Sequence, residues 1–443
     1  MFRRRIQLGL IHVAVAMTLV PINSTLNRIM INELAISAAL VAVLASLPYL
    51  FSPIQVMIGS FSDRHPLLGY RRSPYIVIGL LLCVLGLVLS PQAAFHMTDN
   101  FALGIALGVL AFGAWGMGFN FATVSYLSLA SEISGEEGRG RTIAVMWFMM
   151  ITSIILTAIG LSQMVDPYTP AALVRSFYVV GLAALLSGVI GLLGLEKRVT
   201  NAPAVAGSVA DITSGGYSWA VLTRFIFENR QAAHFFLYLV LLLAALLGQD
   251  ILLEPFGGEA FGLTVTQTTR ITSIWGTCVL LALLIAGAIE SRFSKLTVAR
   301  MGGWGALAGF ALIAISGSLL SKSVFYTGVV FLGVGTGLST VANLSLMLDM
   351  TTAEKVGLFI GAWGMANAVS RLLGSVVGGA VRDQVARLSG VPVIGYVVVF
   401  GMMALIMLAS LLMLRNVDVL AFRKQADEPV SLVERTAIAG DAG

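Results

Sequence analysis

Among the ionisable side chains inside stretches otherwise built from apolar residues, Arg28, Asp250, Glu254 and Arg371 are the best candidates for a functional role. A charge at the centre of a lipid-solvated helix costs about 2.5–3.5 kcal/mol on insertion scales, so each of the four should have a partner. Asp250 and Glu254 are spaced i, i+4, which puts both carboxylates on one face of a regular helix. Two carboxylates so placed repel unless one is protonated or a cation lies nearby. A link from Arg28 to Asp250 or to Glu254 is the expected pairing; the alternative is that all three are solvated at headgroup depth. Arg371 lies deeper in its stretch, where snorkelling is awkward, and should have a buried partner. His12 could ligate a metal or shuttle a proton, against the plainer role of a packed, hydrogen-bonded ring. Cys83 and Cys278 are far apart in the chain and read as packing residues.

Covalent chemistry is not expected. The sequence has no HExxH, no CxxC and no nucleophile-base-acid set, so neither an enzyme, a metal centre nor a catalytic cofactor is predicted. The run Gly333-Val334-Gly335-Thr336-Gly337 lies within an apolar stretch and reads as close helix packing, not as a phosphate loop.

The elements that must position these residues follow from composition. Hydrophobic residues make up 58% of the 443 and charged residues 11%, with a mean hydropathy of +0.92. Soluble domains have about a quarter of their residues charged, so lipid must solvate much of this chain. A span needs roughly 20 apolar residues. Twelve such stretches are predicted: 6–31, 36–60, 74–94, 101–129, 142–165, 174–195, 232–255, 266–289, 302–320, 324–348, 356–380 and 391–414. Met1-Phe2-Arg3-Arg4-Arg5 opens like a signal peptide, but no small-residue cleavage site follows, so the first stretch is read as a retained helix. Lys and Arg concentrate in alternate loops, which predicts both termini in the cytoplasm. The net charge of +5 reflects that bias and does not point to nucleic acid.

The chain also repeats itself. Leu253-Glu254 matches Leu26-Asn27, and Phe261, Leu263 and Thr264 match Leu34, Ile36 and Ser37. Further along, Gly116, Gly118, Thr123-Val124, Leu127-Ser128-Leu129 and Glu132 match Gly333, Gly335, Thr340-Val341, Leu344-Ser345-Leu346 and Asp349 at a single offset. The predicted organisation is therefore a six-helix half over 1–195, a polar cytoplasmic linker over 196–231 with an interfacial helix in its second part, a six-helix half over 232–414 and a cytoplasmic tail over 415–443. Two such halves, all α, describe the major facilitator fold, in which cargo binds between them near the midplane.

A loop between the second and third stretches supports this. Gly59, Asp63 and Arg64, then Gly69, Arg71 and Arg72, resemble the major facilitator loop signature with a few extra residues between its parts. Gly59 would let helices approach, Asp63 would take a charge-assisted bond, and Arg71 or Arg72 would latch the cytoplasmic side; positive-inside anchoring alone would also explain the Arg pair. Interior polar groups are otherwise few: Asn23, Asn120, Gln163, Asn343 and Asn367. That scarcity points to large apolar cargo, because polar cargo needs more donors and acceptors.

Several segments resemble one branch of these proteins, the PucC/LhaA-type or bacteriochlorophyll delivery family. They are Leu26-Asn27-Arg28-Ile29-Met30 with Glu33-Leu34, and Gly59 with Ser62-Asp63 and Gly69-Tyr70-Arg71-Arg72-Ser73-Pro74-Tyr75. Also similar are Gln249 through Gly258, Met347 through Thr351, and Gly357-Leu358-Phe359 with Gly361-Ala362-Trp363-Gly364. The resemblance implies a multi-pass factor of the bacterial inner, photosynthetic membrane that binds or delivers (bacterio)chlorophyll to light-harvesting antenna polypeptides. Pigment-synthesis enzymes are further candidate partners. The pigment's magnesium accepts an axial imidazole, amide oxygen, carbonyl or water, for which His12, Asn27 and Asn343 are candidates. Arg28, Asp250, Glu254 and Arg371 complete the expected cargo-binding set. Two rivals stay open: a proton-coupled exporter of an amphipathic small molecule, and a scaffold that binds antenna helices without transport.

Overall fold

The computed structural model describes residues 1–198 except 52, 53, 55–57, 59, 60 and 63, and then 230–289, 292–349 and 356–416. The expected interfacial helix, Gly59, Asp63 and nearly all of the tail lie outside the described residues. The chain is a membrane-spanning helical protein with the major facilitator fold. Helix α1 is Phe2–Met17 and runs on through two π turns, Pro21–Leu26 and Ile29–Glu33; α2 is Ala38–Ala45, continued by Leu47–Leu50. Then come α3 (Ser73–Asp99), α4 (Phe101–Gly135), α5 (Gly140–Met164) and α6 (Pro170–Leu192). In the second half, α7 is Arg230–Gly248, passes through a 3-10 turn at Gln249–Ile251 and resumes as Leu253–Phe261. It is followed by α8 (Val265–Ile289), α9 (Lys295–Leu319), α10 (Lys322–Asp349), α11 (Val356–Ser389) and α12 (Pro392–Leu414).

Among the described residues, ten helices are long and apolar enough to cross a membrane. The other two predicted spans correspond to α2, described only in part, and to α11, whose 34 residues include Arg371, Arg382 and Asp383. Several helices start on side-chain caps: Ser37, Asn100, Thr169 and Ser294 each accept a bond from the backbone N–H three residues on. Gly135, at φ 65 and ψ 177, makes the turn between α4 and α5. The left-handed Gly262 ends α7.

The repeat seen in sequence has a packing consequence. A Cβ on Gly118 of α4 would lie 2.5 Å from the Gly79 carbonyl oxygen of α3. A Cβ on Gly335 of α10 would lie 2.7 Å from that of Gly302 in α9. Matching glycines thus bring matching helix pairs into backbone contact. Lipid-facing positions are large and apolar, as Leu81, Leu85 and Leu89 of α3 and Leu182, Leu186 and Ile190 of α6 show by their exposure. Between the halves, α5 packs on α8, where a Cβ at Gly276 would be 3.1 Å from Ile155. Helix α2 likewise packs on α11.

Candidate functional site

The seam between the halves gathers the ionisable residues at the end away from the chain termini, where α1 and α7 depart from regular helix. Glu254, on the resumed part of α7, is 2% exposed. One of its oxygens, Oε1, accepts bonds from Ser24 of α1 and from Thr272 of α8, the latter at 2.5 Å. Next to this triad, the hydroxyls of Thr25 and Thr269 meet at 3.0 Å, again across the halves. Asn32 donates to the Pro255 carbonyl at 2.9 Å. The Gln249–Gly258 block therefore lies on the interface, and Gly258 supplies room there: a Cβ on it would come within 3.2 Å of Arg28 Nη2.

The expected Arg28 link differs in its partner. Arg28 pairs with Glu33, five residues on in the same helix, and its bond across the seam among the described residues runs from Nη2 to the Leu263 carbonyl at 3.3 Å. The physical reason is the π turn at Ile29–Glu33: its i→i+5 period brings positions five apart into line, which the 3.6-residue spacing does not. The i, i+4 stacking of Asp250 and Glu254 is also broken, because the 3-10 turn at Gln249–Ile251 intervenes. Asp250 points to Arg371 of α11, Nη1 to Oδ2 at 2.8 Å, and takes a second bond from Gln249 at 2.8 Å. The Arg371 guanidinium also lies over the Tyr49 ring of α2, 4.6 Å from its centroid. At 19% and 21% side-chain exposure, Arg371 and Asp250 are partly accessible, whereas Glu254 is sealed.

The three candidate pigment ligands fall in different places. His12 is buried in α1 on the terminal side of the π turns, with its ring 5.0 Å from that of Tyr126 in α4. Its Nδ1 has no hydrogen-bond partner. Asn27, fully buried, donates to the Asn23 carbonyl at 3.0 Å, and its Oδ1 has no partner. Asn343 is engaged at both ends: Tyr238 donates to its oxygen at 2.7 Å and its amide nitrogen donates to the Ser339 carbonyl at 2.7 Å. Among the described residues no group of three or more His, Cys, Asp and Glu could hold a metal ion.

Of the loop motif, Arg64 is exposed and Gly69 takes φ 81. Arg72 is fully buried and donates to Glu132 at 3.0 and 2.9 Å and to Ser62 at 2.7 Å. The Glu196 carboxylate accepts the backbone N–H groups of Arg71, Arg72 and Ser73 and the Ser73 hydroxyl, at 2.6–3.0 Å. It therefore neutralises the start of α3 from the end of the first half. Sequence reasoning passed over Ser24, Thr25, Tyr49, Glu196, Thr269, Thr272 and Asp383 as site residues. A signal existed for α8, where Thr268, Thr269, Thr272 and Ser273 make a polar stripe at helical spacing.

A family model described as "PUCC protein" matches residues 25–422. Protein PucC of Cereibacter sphaeroides is 31% identical over 431 residues, covering 94% of this chain and 92% of that one. The "Bacteriochlorophyll synthase 44.5 kDa chain" of Rhodobacter capsulatus is 26% identical, covering 93% and 94%. Among solved structures, the nucleoside transporter NupG superposes with a TM-score of 0.71 at 14% identity, over 94% of this chain and 99% of that one. That last likeness concerns the fold alone.

Proposed function

This chain belongs to the PUCC protein family, and on that premise we propose that it is a membrane assembly factor that binds (bacterio)chlorophyll and presents it to light-harvesting antenna polypeptides. It acts in the inner, photosynthetic membrane of a bacterium with both termini in the cytoplasm, and without covalent catalysis. The observation that carries this reading is the match of the family model across 25–422. The chemistry of the interior is compatible with it. A macrocycle with a long hydrocarbon tail travels through lipid and apolar helix grooves, and this chain offers apolar walls with few polar groups. His12 is the best-suited axial ligand, because its Nδ1 has no partner and offers a free lone pair in the tautomer protonated at Nε2, beside an aromatic ring able to stack on the macrocycle. Asn27 Oδ1 is the second choice. Asn343, with its oxygen already bonded, is the least suited.

Antenna polypeptides, and enzymes that make the pigment, are the proposed partners, meeting the protein within the membrane. Purification in mild detergent tests both halves of the proposal. A far-red absorption band in the purified protein and co-purifying antenna subunits are expected; antenna subunits without pigment would leave only the scaffold. The exporter reading has one observation in its favour, the buried Glu254 at the seam. It predicts uptake of an amphipathic substrate into proteoliposomes under a proton gradient and no pigment in the preparation.

A further inference from the structure

We infer that Glu254 is the centre of a binding site for a small monovalent cation such as Na+, set between α1, α7 and α8. The site joins the two halves, and it leaves His12 as the pigment's axial ligand in the proposed function. Among the described residues no cationic side chain bonds the Glu254 carboxylate, although Arg28 acts on it electrostatically from beyond contact. Arg28 on α1 gives its two Nη groups to Glu33 and the Leu263 carbonyl, while its Nε is without a partner. On α7, Asp250 is taken by Arg371 of α11, and Glu259 is exposed. Helix α8 brings Arg270, which is exposed, and α12 brings no charged residue. A buried carboxylate at membrane depth needs either a proton or a compensating cation.

The distribution of hydrogen bonds favours a cation over a proton. Ser24 and Thr272 both donate to Oε1, and Oε2 has no partner. Two more acceptor oxygens close to the crossing of the π turn and the 3-10 turn also lack donors: Asn27 Oδ1 and Gln249 Oε1. Their amide nitrogens are engaged, by the Asn23 carbonyl and by Asp250, which fixes which end of each amide is bare. All three residues are at most 2% exposed. A proton on Oε2 would satisfy that oxygen and at most one acceptor, whereas a hard cation between the touching turns could take several oxygens as ligands. One carboxylate matches one charge, and the absence of a multi-carboxylate cluster among the described residues disfavours a divalent ion.

The backbone agrees. The π turn Pro21–Leu26 and the 3-10 turn Gln249–Ile251 touch across the seam at matching places in the two repeats, where Asn27 answers to Glu254. Irregular helix at such a point frees carbonyls and is where membrane carriers hold coupling ions. Occupancy would tie α1 to α7 and α8 and so hold that end of the protein closed.

The test compares NaCl, LiCl, KCl and choline chloride at equal ionic strength on the purified full chain. Thermal unfolding and retention of radiolabelled Na+ are the readouts, repeated at several pH values. NaCl well above its dissociation constant should raise Tm by about 2–4 °C over choline, with about one Na+ held per chain. Glu254→Gln should lose both effects, and Ser24→Ala or Thr272→Val should weaken Na+ binding by about tenfold. Should Glu254→Gln not fold, the two hydroxyl variants decide, and unchanged Na+ affinity in both overturns the site. It is also overturned by an equal Na+ response in Glu254→Gln, by no alkali-cation response in the wild type, or by stability that follows pH alone through Glu254.

Discussion

Asp383 of α11 accepts a hydrogen bond from the backbone N–H of Ala39 at 3.0 Å, so the first turn of α2 is capped from the other half of the protein. Ser37 caps the same turn from within, through Leu40 N–H. Arg382 holds the second Asp383 oxygen at 3.0 Å and lies over the Tyr396 ring. The contact is tight: a Cβ on Gly379 of α11 would meet the Ala38 carbonyl oxygen at 2.7 Å. Opening this end would expose an orphan helix donor and a carboxylate together, so the bond stabilises the closed arrangement.

Asp383→Ala should therefore cost about 0.5–2 kcal/mol, the usual worth of a helix cap, and should raise reagent access to cysteines introduced at the neighbouring seam. Asp383→Asn, which keeps an acceptor oxygen, should lose less. Thermal unfolding with thiol-labelling rates measures both. Equal labelling in Asp383→Ala and wild type would show that the bond does not govern opening.

The Asp250–Arg371 pair should behave as a coupled unit. Removing one partner of a buried pair costs about 3–5 kcal/mol, and the partial exposure here should bring that to about 2–3 kcal/mol. Asp250→Asn with Arg371→Gln should be more stable than Arg371→Gln alone, since no bare charge remains. A double-mutant cycle on Tm measures the coupling, and strict additivity would contradict it.

Glu196 should matter more than its place at the edge of a polar linker suggests. It satisfies three backbone donors and one hydroxyl at the start of α3. Glu196→Ala should destabilise by about 1–3 kcal/mol through those stranded donors and should speed proteolysis near residue 70. Glu196→Gln, keeping one carbonyl oxygen, should fall between. Wild-type proteolysis rates in Glu196→Ala would refute the anchoring role.

Much of the fold was legible because lipid imposes long apolar helices and because the repeat preserved its packing glycines, Gly118 and Gly335 among them. The seam was less so. Reading Arg28 on a regular 3.6-residue helix aims it away from Glu33, and nothing local in Ile29-Met30-Ile31-Asn32 announces a π turn. The distorted turn packs against Gly258 and Leu263, partners remote in the sequence. Hydroxyl residues were likewise unreadable singly. Thr18, Ser90 and Ser316 bond their own helix carbonyls, while Ser24 and Thr272 reach Glu254, and the sequence looks alike in both cases. Arg371 stood out because a charge deep in an apolar stretch has few ways to be satisfied.

His12 offers the sharpest separation of pigment binding from folding. His12→Asn replaces one ligand class by another and should retain a shifted pigment band, whereas His12→Leu should lose the band with Tm within about 2 °C of wild type. Loss of fold in both variants would assign His12 to packing against Tyr126.

The absorption spectrum of the detergent-purified wild-type chain bears most directly on the account. A far-red band of (bacterio)chlorophyll that co-elutes with the monodisperse protein at near-stoichiometric amount, and falls away in His12→Leu, is the predicted result. A colourless preparation from pigment-replete phototrophic cells, still folded and still helical, would contradict it.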